Sequence, residues 1–87
     1  MCQIILYKTQ DDEIITADKI ILKDLLKEKG GDSLSIAYVG IDGIVAKESF
    51  RVESFDDKFK QMITYINEIG ASDKLYMIFS RQTPALE

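Results

Sequence analysis

Four short apolar segments and two amphipathic ones succeed one another along this chain. Cys2 to Thr9 begins apolar and β-branched and ends at a polar cluster, which predicts a buried strand followed by a turn. Leu34 to Val39 alternates large and small residues, Ile44 to Val52 follows it, and Lys74 to Ser80 is again apolar. The last of these strands places three apolar residues on one face: Leu75, Met77 and Phe79. The pattern therefore predicts four strands.

Two stretches with apolar residues at helical spacing predict helices. The first starts at Thr16, a residue type that caps helix N-termini, and ends at Gly30-Gly31. The second is capped by Ser54 and closed by Gly70. The predicted buried stripes are Ile21, Leu22, Leu25 and Leu26 in the first helix, and Phe55, Phe59, Met62, Ile63, Ile66 and Ile69 in the second.

The order of these elements predicts an α+β fold. Asp42-Gly43, between the second and third strands, is a hairpin signal because both residue types tolerate positive φ. Each helix has one apolar stripe, so burial is best achieved with both helices on one face of a four-stranded, mainly antiparallel sheet. An 87-residue chain is too short for two cores. Residues 1–87 are therefore predicted to form one two-layer sandwich with the βαββαβ order of a ferredoxin-like unit.

Charge and cysteine content narrow the classes of partner. Fifteen acidic and eleven basic residues leave a net charge of −4, which disfavours nucleic acid and anionic membrane surfaces as partners. No apolar run approaches the roughly 18 to 20 residues that span a bilayer. A single cysteine allows no internal disulfide, as is usual in a reducing compartment. We expect a cytoplasmic protein that binds neither nucleic acid nor membrane.

The chain contains no histidine, which removes Ser-His-Asp and Cys-His nucleophile pairs and the usual zinc-hydrolase ligand sets. Two acidic clusters, Asp11-Asp12-Glu13 and Asp56-Asp57, lack the ordered spacing and the glycine of a calcium loop. They are better interpreted as a turn and a helix N-terminus. The sequence predicts no metal and no cofactor.

Cys2 is the strongest candidate for a nucleophile. Removal of the preceding Met1 would leave Cys2 with a free α-amine, which titrates near about 7.7 to 8 and could take the proton of its own thiol. The structural alternative is a small residue at the start of a strand, or a buried thiol that behaves as a hydrophobic group.

Three segments of the sequence favour the interpretation of Cys2 as a nucleophile. They are Met1-Cys2-Gln3-Ile4, Gly30-Gly31-Asp32-Ser33 with the strand after it, and Phe79-Ser80-Arg81-Gln82-Thr83-Pro84. In this order they resemble the N-terminal glutaminase domain of class II glutamine amidotransferases, which are N-terminal-nucleophile hydrolases. The sequence departs from the family pattern where Gln3 replaces a glycine and Phe79 a histidine, and where the spacing from Arg81 to Thr83 is one residue short.

The resemblance implies a substrate and a role for each matching residue. Cys2 would attack the side-chain amide of glutamine, Arg81 would pair with the substrate carboxylate, and Thr83 would support that carboxylate. The six elements would then form the first layer of an N-terminal-nucleophile hydrolase fold. The family's oxyanion-hole Asn-Gly pair is missing, because the only asparagine, Asn67, precedes Glu68 within a predicted helix. We therefore expect a catalytically incomplete, inactive chain. It is either a fragment of a larger glutaminase-like domain or a short natural protein that kept, or merely resembles, the first layer of that fold.

The alternative is a non-enzymatic α+β module that binds a protein partner or a second copy of itself. A sheet with helices on one side leaves its other face, and its edge strands, open to water or to a partner. The apolar candidates for that open face are Ile5, Tyr7, Val39 and Val45. On this interpretation Cys2 has no chemical role.

Overall fold

A computed structural model describes residues 2–29, 32–40, 43–72 and 74–81, without the side chains of residues 28, 29 and 44–46. Its elements are β1 (Cys2–Lys8), α1 (Thr16–Lys29), β2 (Ser33–Gly40), β3 (Gly43–Phe50), α2 (Phe55–Ile69) and β4 (Leu75–Arg81). The four strands form one antiparallel sheet. The predicted α+β two-layer fold of order βαββαβ is therefore confirmed.

Across the sheet the strand order is β1-β4-β2-β3. The strand β4 lies between β1 and β2, and β2 lies between β4 and β3, so both helix-containing connections are split βαβ units. The central strands β4 and β2 have partners on both sides, whereas β1 and β3 form the two edges. This order decides which residues from distant parts of the chain become neighbours.

The predicted hairpin joins β2 and β3, which pair antiparallel from Leu34 opposite Phe50 to Gly40 opposite Gly43. Gly43 has φ +111°, a conformation that favours glycine, while Asp42 lies outside the described residues. The register shifts between Tyr38 and Val39, which indicates a β-bulge on this edge of the sheet.

Both helices pack on the same face of the sheet and share one core with it. The helix α1 covers β1 and β4, and α2 covers β2 and β3. The core cluster contains these buried side chains: Tyr7, Ile14, Leu22, Leu26, Leu34, Ile36, Phe50, Phe59, Met62, Ile66, Ala71, Tyr76 and Ile78. The opposite face of the sheet carries no helix among the described residues.

The ends of α2 follow from local sequence. The Ser54 side chain accepts a hydrogen bond from the Asp57 backbone N–H at 3.1 Å, as predicted for the N-cap. At the other end Gly70 has φ +103°, and its N–H donates to the Ile66 carbonyl at 2.9 Å. Because residues with a side chain rarely adopt this φ, glycine is the residue that can end the helix in this way.

The prediction for α1 was partly wrong. Leu22 and Leu26 are buried as predicted, but Ile21 is 57% exposed and Leu25 is 41% exposed. The helix begins at Thr16, and the Ile15 carbonyl accepts from Lys19 N–H at 3.0 Å, so Thr16 is inside the first turn instead of capping it. The apolar residues of α1 form two adjacent stripes, and only one of them faces the sheet.

The face of β4 that packs on the helices carries Tyr76, Ile78 and Ser80, all buried. The alternate residues that the sequence pattern singled out are half-buried and lie on the open face of the sheet: Leu75, Met77 and Phe79. The Tyr76 hydroxyl donates to the Gly70 carbonyl at 2.8 Å, which satisfies its polar atom inside the core.

Two core tyrosines make the stability of the protein sensitive to alkaline pH. Burial raises the pKa of Tyr76 from 10.0 to about 12, and burial with the Asp18 hydrogen bond raises the pKa of Tyr7 to about 12. Between pH 10 and about pH 12, the two tyrosines therefore keep their protons in the native state but have lost them in the unfolded state. The stabilising contribution is therefore complete below pH 10 and is lost as the pH rises toward 12.

We expect urea unfolding across this pH range to show a falling free energy of unfolding. In the double variant Tyr7→Phe/Tyr76→Phe the fall should be shallower, because neither side chain titrates. The same slope in the wild-type protein and the double variant would contradict this assignment.

Candidate functional site

The sheet brings together two of the residues predicted to act on glutamine. Cys2 begins the edge strand β1, Arg81 ends β4, and the two are opposite each other in the register. Opposite residues in an antiparallel pair have Cα atoms about 4.5 to 5.5 Å apart. Cys2 and Arg81, both exposed, are therefore neighbours at one corner of the sheet although they come from opposite ends of the chain.

Arg81 is held in place by its backbone on both sides. It pairs with Cys2 of β1 and with Ser33 of β2, and its carbonyl accepts from the Asp32 N–H at 3.1 Å. The third predicted residue, Thr83, lies outside the described residues. One row of the sheet thus contains Cys2, Arg81 and Ser33, which carry a thiol, a guanidinium and a hydroxyl group.

Asn67 has a structural role in this fold. Its side-chain oxygen accepts a hydrogen bond from the Ile14 N–H at 3.1 Å and so ties the segment before α1 to α2. This bond satisfies a backbone donor at a buried residue. Asn67 lies within α2, as the sequence indicated, but in its last turn and not in its middle.

The second candidate site is an exposed apolar surface, which the sequence analysis did not predict as a unit. Among the described residues, the large hydrophobic side chains that are exposed all belong to β1, to α1 or to the residue just before α1. They are Ile4, Leu6, Ile15, Ile20, Ile21 and Leu25. Such a concentration on two neighbouring elements of a small domain is unusual for a surface that stays in water.

Part of this surface is a groove of about 210 Å³ between β1 and α1. Ile21 and Leu25 of α1 line one wall, and Ile5 and Leu6 of β1 line the other. Tyr7 and Asp18 also line the groove, and their side chains share a hydrogen bond of 2.7 Å donated by the tyrosine. We call Ile4, Leu6, Ile21 and Leu25, with the outer backbone edge of β1, the β1–α1 flank.

The two edges of the sheet differ in charge. Residues 2–7 of β1 include no charged side chain, and Lys8 stands only at the end of the strand. The edge strand β3 carries the exposed charges Lys47 and Glu48 and the bulge described above. Charges and bulges are the devices by which proteins protect sheet edges from pairing with another chain. The β1 edge lacks them over most of its length.

The open face of the central strands is better covered than the flank. The Lys47 ammonium lies 5.8 Å from the centre of the Phe79 ring, so its side chain shields that part of the face. Ala37 on this face is buried, and Met77 beside it is half-buried. The exposed apolar surface therefore lies toward β1.

The apolar residues predicted for a partner surface were partly misplaced. Ile5 and Tyr7 face the helices and pack in or against the core, so their assignment to the open face was wrong. Val39 lies opposite Leu75 on the open face and is half-buried, and the Val45 side chain lies outside the description. The prediction of β1 as a buried strand was also wrong for one of its faces, because Ile4 and Leu6 point away from the helices and are exposed.

Comparison with protein-family models, curated proteins and solved structures finds no match to this chain. Neither α1 nor α2 in the described part of the chain is long and apolar enough to cross a membrane. Within the same residues no group of three or more histidine, cysteine or acidic side chains is placed to hold a metal ion. The β1–α1 flank and the Cys2–Arg81 corner are the two features that carry a functional argument.

Proposed function

We propose that this chain is a protein-interaction module that binds a polypeptide through the β1–α1 flank. The observation that supports the proposal most directly is the exposure of Ile4 and Leu6, at 60% and 62%, on an edge strand that has no charged side chain before Lys8. The Ile21 and Leu25 side chains lie beside this edge and add apolar area to it. A polypeptide docked there would bury these groups and satisfy the outer backbone groups of β1.

Photo-crosslinking in expressing cells tests this proposal. A benzophenone amino acid in place of Ile21 should form crosslinks to polypeptide, whereas the same group in place of Gln61, exposed on α2, should not. Crosslinking at Gln61 as strong as at Ile21 would show that contact is not specific to the flank. Its absence at Ile21 in folded protein would overturn the proposal.

The Cys2–Arg81 corner supports a second candidate, a glutaminase-type activity that uses Cys2 as nucleophile and belongs to a larger amidotransferase-like protein. The supporting observation is the register that makes Cys2 and Arg81 cross-strand neighbours. A thiol beside a guanidinium matches a substrate that presents an amide and a carboxylate, such as glutamine. The cytoplasm is the proposed compartment for either function, because an exposed free thiol persists in reducing surroundings.

Labelling with an electrophilic glutamine analogue tests the second candidate, after intact-mass analysis has shown whether Met1 is removed. Cys2→Ser should abolish labelling, and Arg81→Ala should slow it by roughly 10-fold to 100-fold, as expected for loss of a charged hydrogen bond. Lys60→Ala removes an exposed cation on α2, in the other layer of the fold, and should leave the rate unchanged. Equal rates for Arg81→Ala and Lys60→Ala would exclude a substrate-anchoring role for Arg81.

A further inference from the structure

We infer that the polypeptide bound at the β1–α1 flank is a second copy of this chain, paired antiparallel through β1 about a two-fold axis at Ile5. The inference rests on the proposed function and names its partner. Such pairing would join two four-stranded sheets edge to edge into one continuous sheet. It would leave the charged β3 edges at the two ends, where they oppose further growth.

The sequence of β1 is self-complementary in this register. Ile5 is the midpoint of the seven-residue strand Cys2–Lys8, so pairing centred on it uses the full length of the strand. Ile4 of one copy then lies opposite Leu6 of the other on the open face, and Ile5 lies opposite Ile5 beneath the helices. Apolar residues therefore meet apolar residues on both faces of the joined sheet.

Neighbouring registers lack this match. In antiparallel pairing, residues directly opposite each other point to the same face of the sheet. The nearest alternative registers therefore place the two-fold axis at Ile4 or at Leu6 instead of at Ile5. A centre at Leu6 sets Ile4 opposite Lys8, and a centre at Ile4 sets Gln3 opposite Ile5. Each of these sets an aliphatic residue from the middle of the strand against a polar one. The centre at Ile5 pairs the aliphatic residues with one another and leaves the charge of Lys8 at the end of the strand, opposite Cys2.

The polar residues near the ends of β1 are compatible with the same register. Gln3 lies opposite Tyr7 of the second copy, on the face covered by the helices. The Gln3 side-chain oxygen accepts from the Ser80 hydroxyl, which leaves its N–H groups as donors toward Tyr7 and the Asp18 carboxylate bound to it. Acceptors on one copy thus meet donors on the other.

The groove beside β1 supplies the remaining contact area. Two-fold symmetry about Ile5 brings the α1 helices of the two copies together above the paired strands, so that Ile21 and Leu25 of each copy face the groove of the other. A foreign extended peptide could pair with β1, but it would not bring a second α1 to cover these side chains. This is the reason that a second copy is favoured over a peptide.

Sedimentation velocity over protein concentrations from about 1 μM to about 1 mM measures the association. We expect a reversible monomer–dimer equilibrium that is weakened at least about tenfold by Leu6→Lys and by Ile21→Lys, because each places a charge in the paired flank. Ile20→Lys is the matched control: Ile20 is 59% exposed, as Ile21 is 57% exposed, but it does not line the groove. It should change the dissociation constant by no more than about twofold.

A disulfide experiment reads the register. In a Cys2→Ser background, chains with Ile4→Cys should crosslink to chains with Leu6→Cys when mixed and oxidised, since these positions are directly opposite. Either chain alone places its cysteines on a diagonal, about 7 to 8 Å apart, which is too far for a disulfide without backbone movement. Equal crosslinking in the mixture and in the single chains would overturn the register.

The outcomes separate the dimer from the proposed function. A chain that stays monomeric throughout the concentration range, or a dimer that Leu6→Lys and Ile21→Lys leave intact, overturns the inference. If crosslinks from Ile21 then contain a different polypeptide, the flank is still a binding surface and the proposed function stands. A monomer without crosslinks at Ile21 overturns both. Thermal unfolding of each variant confirms that the lysines have not unfolded the domain.

Discussion

Leu26→Ala should lower the free energy of unfolding by about 2 to 5 kcal/mol, the usual cost of truncating a fully buried leucine. Leu26 is 0% exposed and, with Leu22, forms the stripe of α1 that belongs to the core cluster. A small domain has only about 5 to 15 kcal/mol of stability in total. We therefore expect a melting temperature lower by more than about 10 °C, measured by calorimetry or circular dichroism.

Leu25→Ala is the matched control for this prediction. It makes the same chemical change one position earlier on α1, where the side chain is 41% exposed, and should cost less than about 1 kcal/mol. Both variants are best compared at low protein concentration, because a dimer that binds through Leu25 would add a concentration-dependent term. Equal losses for Leu25→Ala and Leu26→Ala would mean that α1 is rotated relative to the structure.

Tyr76→Ala should destabilise the protein by about 3 to 5 kcal/mol, the cost expected for removing a large aromatic side chain from a core. Tyr76 is 0% exposed and lies on the central strand β4, and its ring is 6.0 Å from the ring of Tyr38. A cavity here would remove contacts with the helical layer and with the neighbouring strand. Urea unfolding measures the loss.

Two further variants test the origin of this effect. One separates the ring of Tyr76 from its hydroxyl, and the other compares the two faces of β4. Tyr76→Phe keeps the ring but removes the donor to the Gly70 carbonyl, and should cost about 1 kcal/mol. Met77→Ala, on the half-buried open face, should cost less than Tyr76→Ala. A larger loss for Met77→Ala would show that the open face, not the helix-covered face, is the core of this strand.

The two candidate sites differ in how much of them could be predicted from sequence. Cys2 and Arg81 were identified individually by their motifs, but their position as neighbours depends on the pairing of β1 with β4, which no local pattern specifies. The flank was missed because Ile21 and Leu25 share helical spacing with Leu22 and Leu26. The signal was present in the width of the apolar pattern on α1, which is broader than one stripe against a sheet requires.

By itself the sequence determined the six elements and the way α2 begins and ends, because these depend on periodicity and on short-range bonds such as Ser54 to Asp57. It also determined the hairpin, which needs only a turn and two adjacent strands. The strand order and the buried side of α1 were decided by the tertiary structure, since both depend on pairing between segments far apart in the chain. That pairing places β1, which has no charged side chain before its last residue Lys8, at an edge of the sheet and leaves an apolar stripe of α1 beside it.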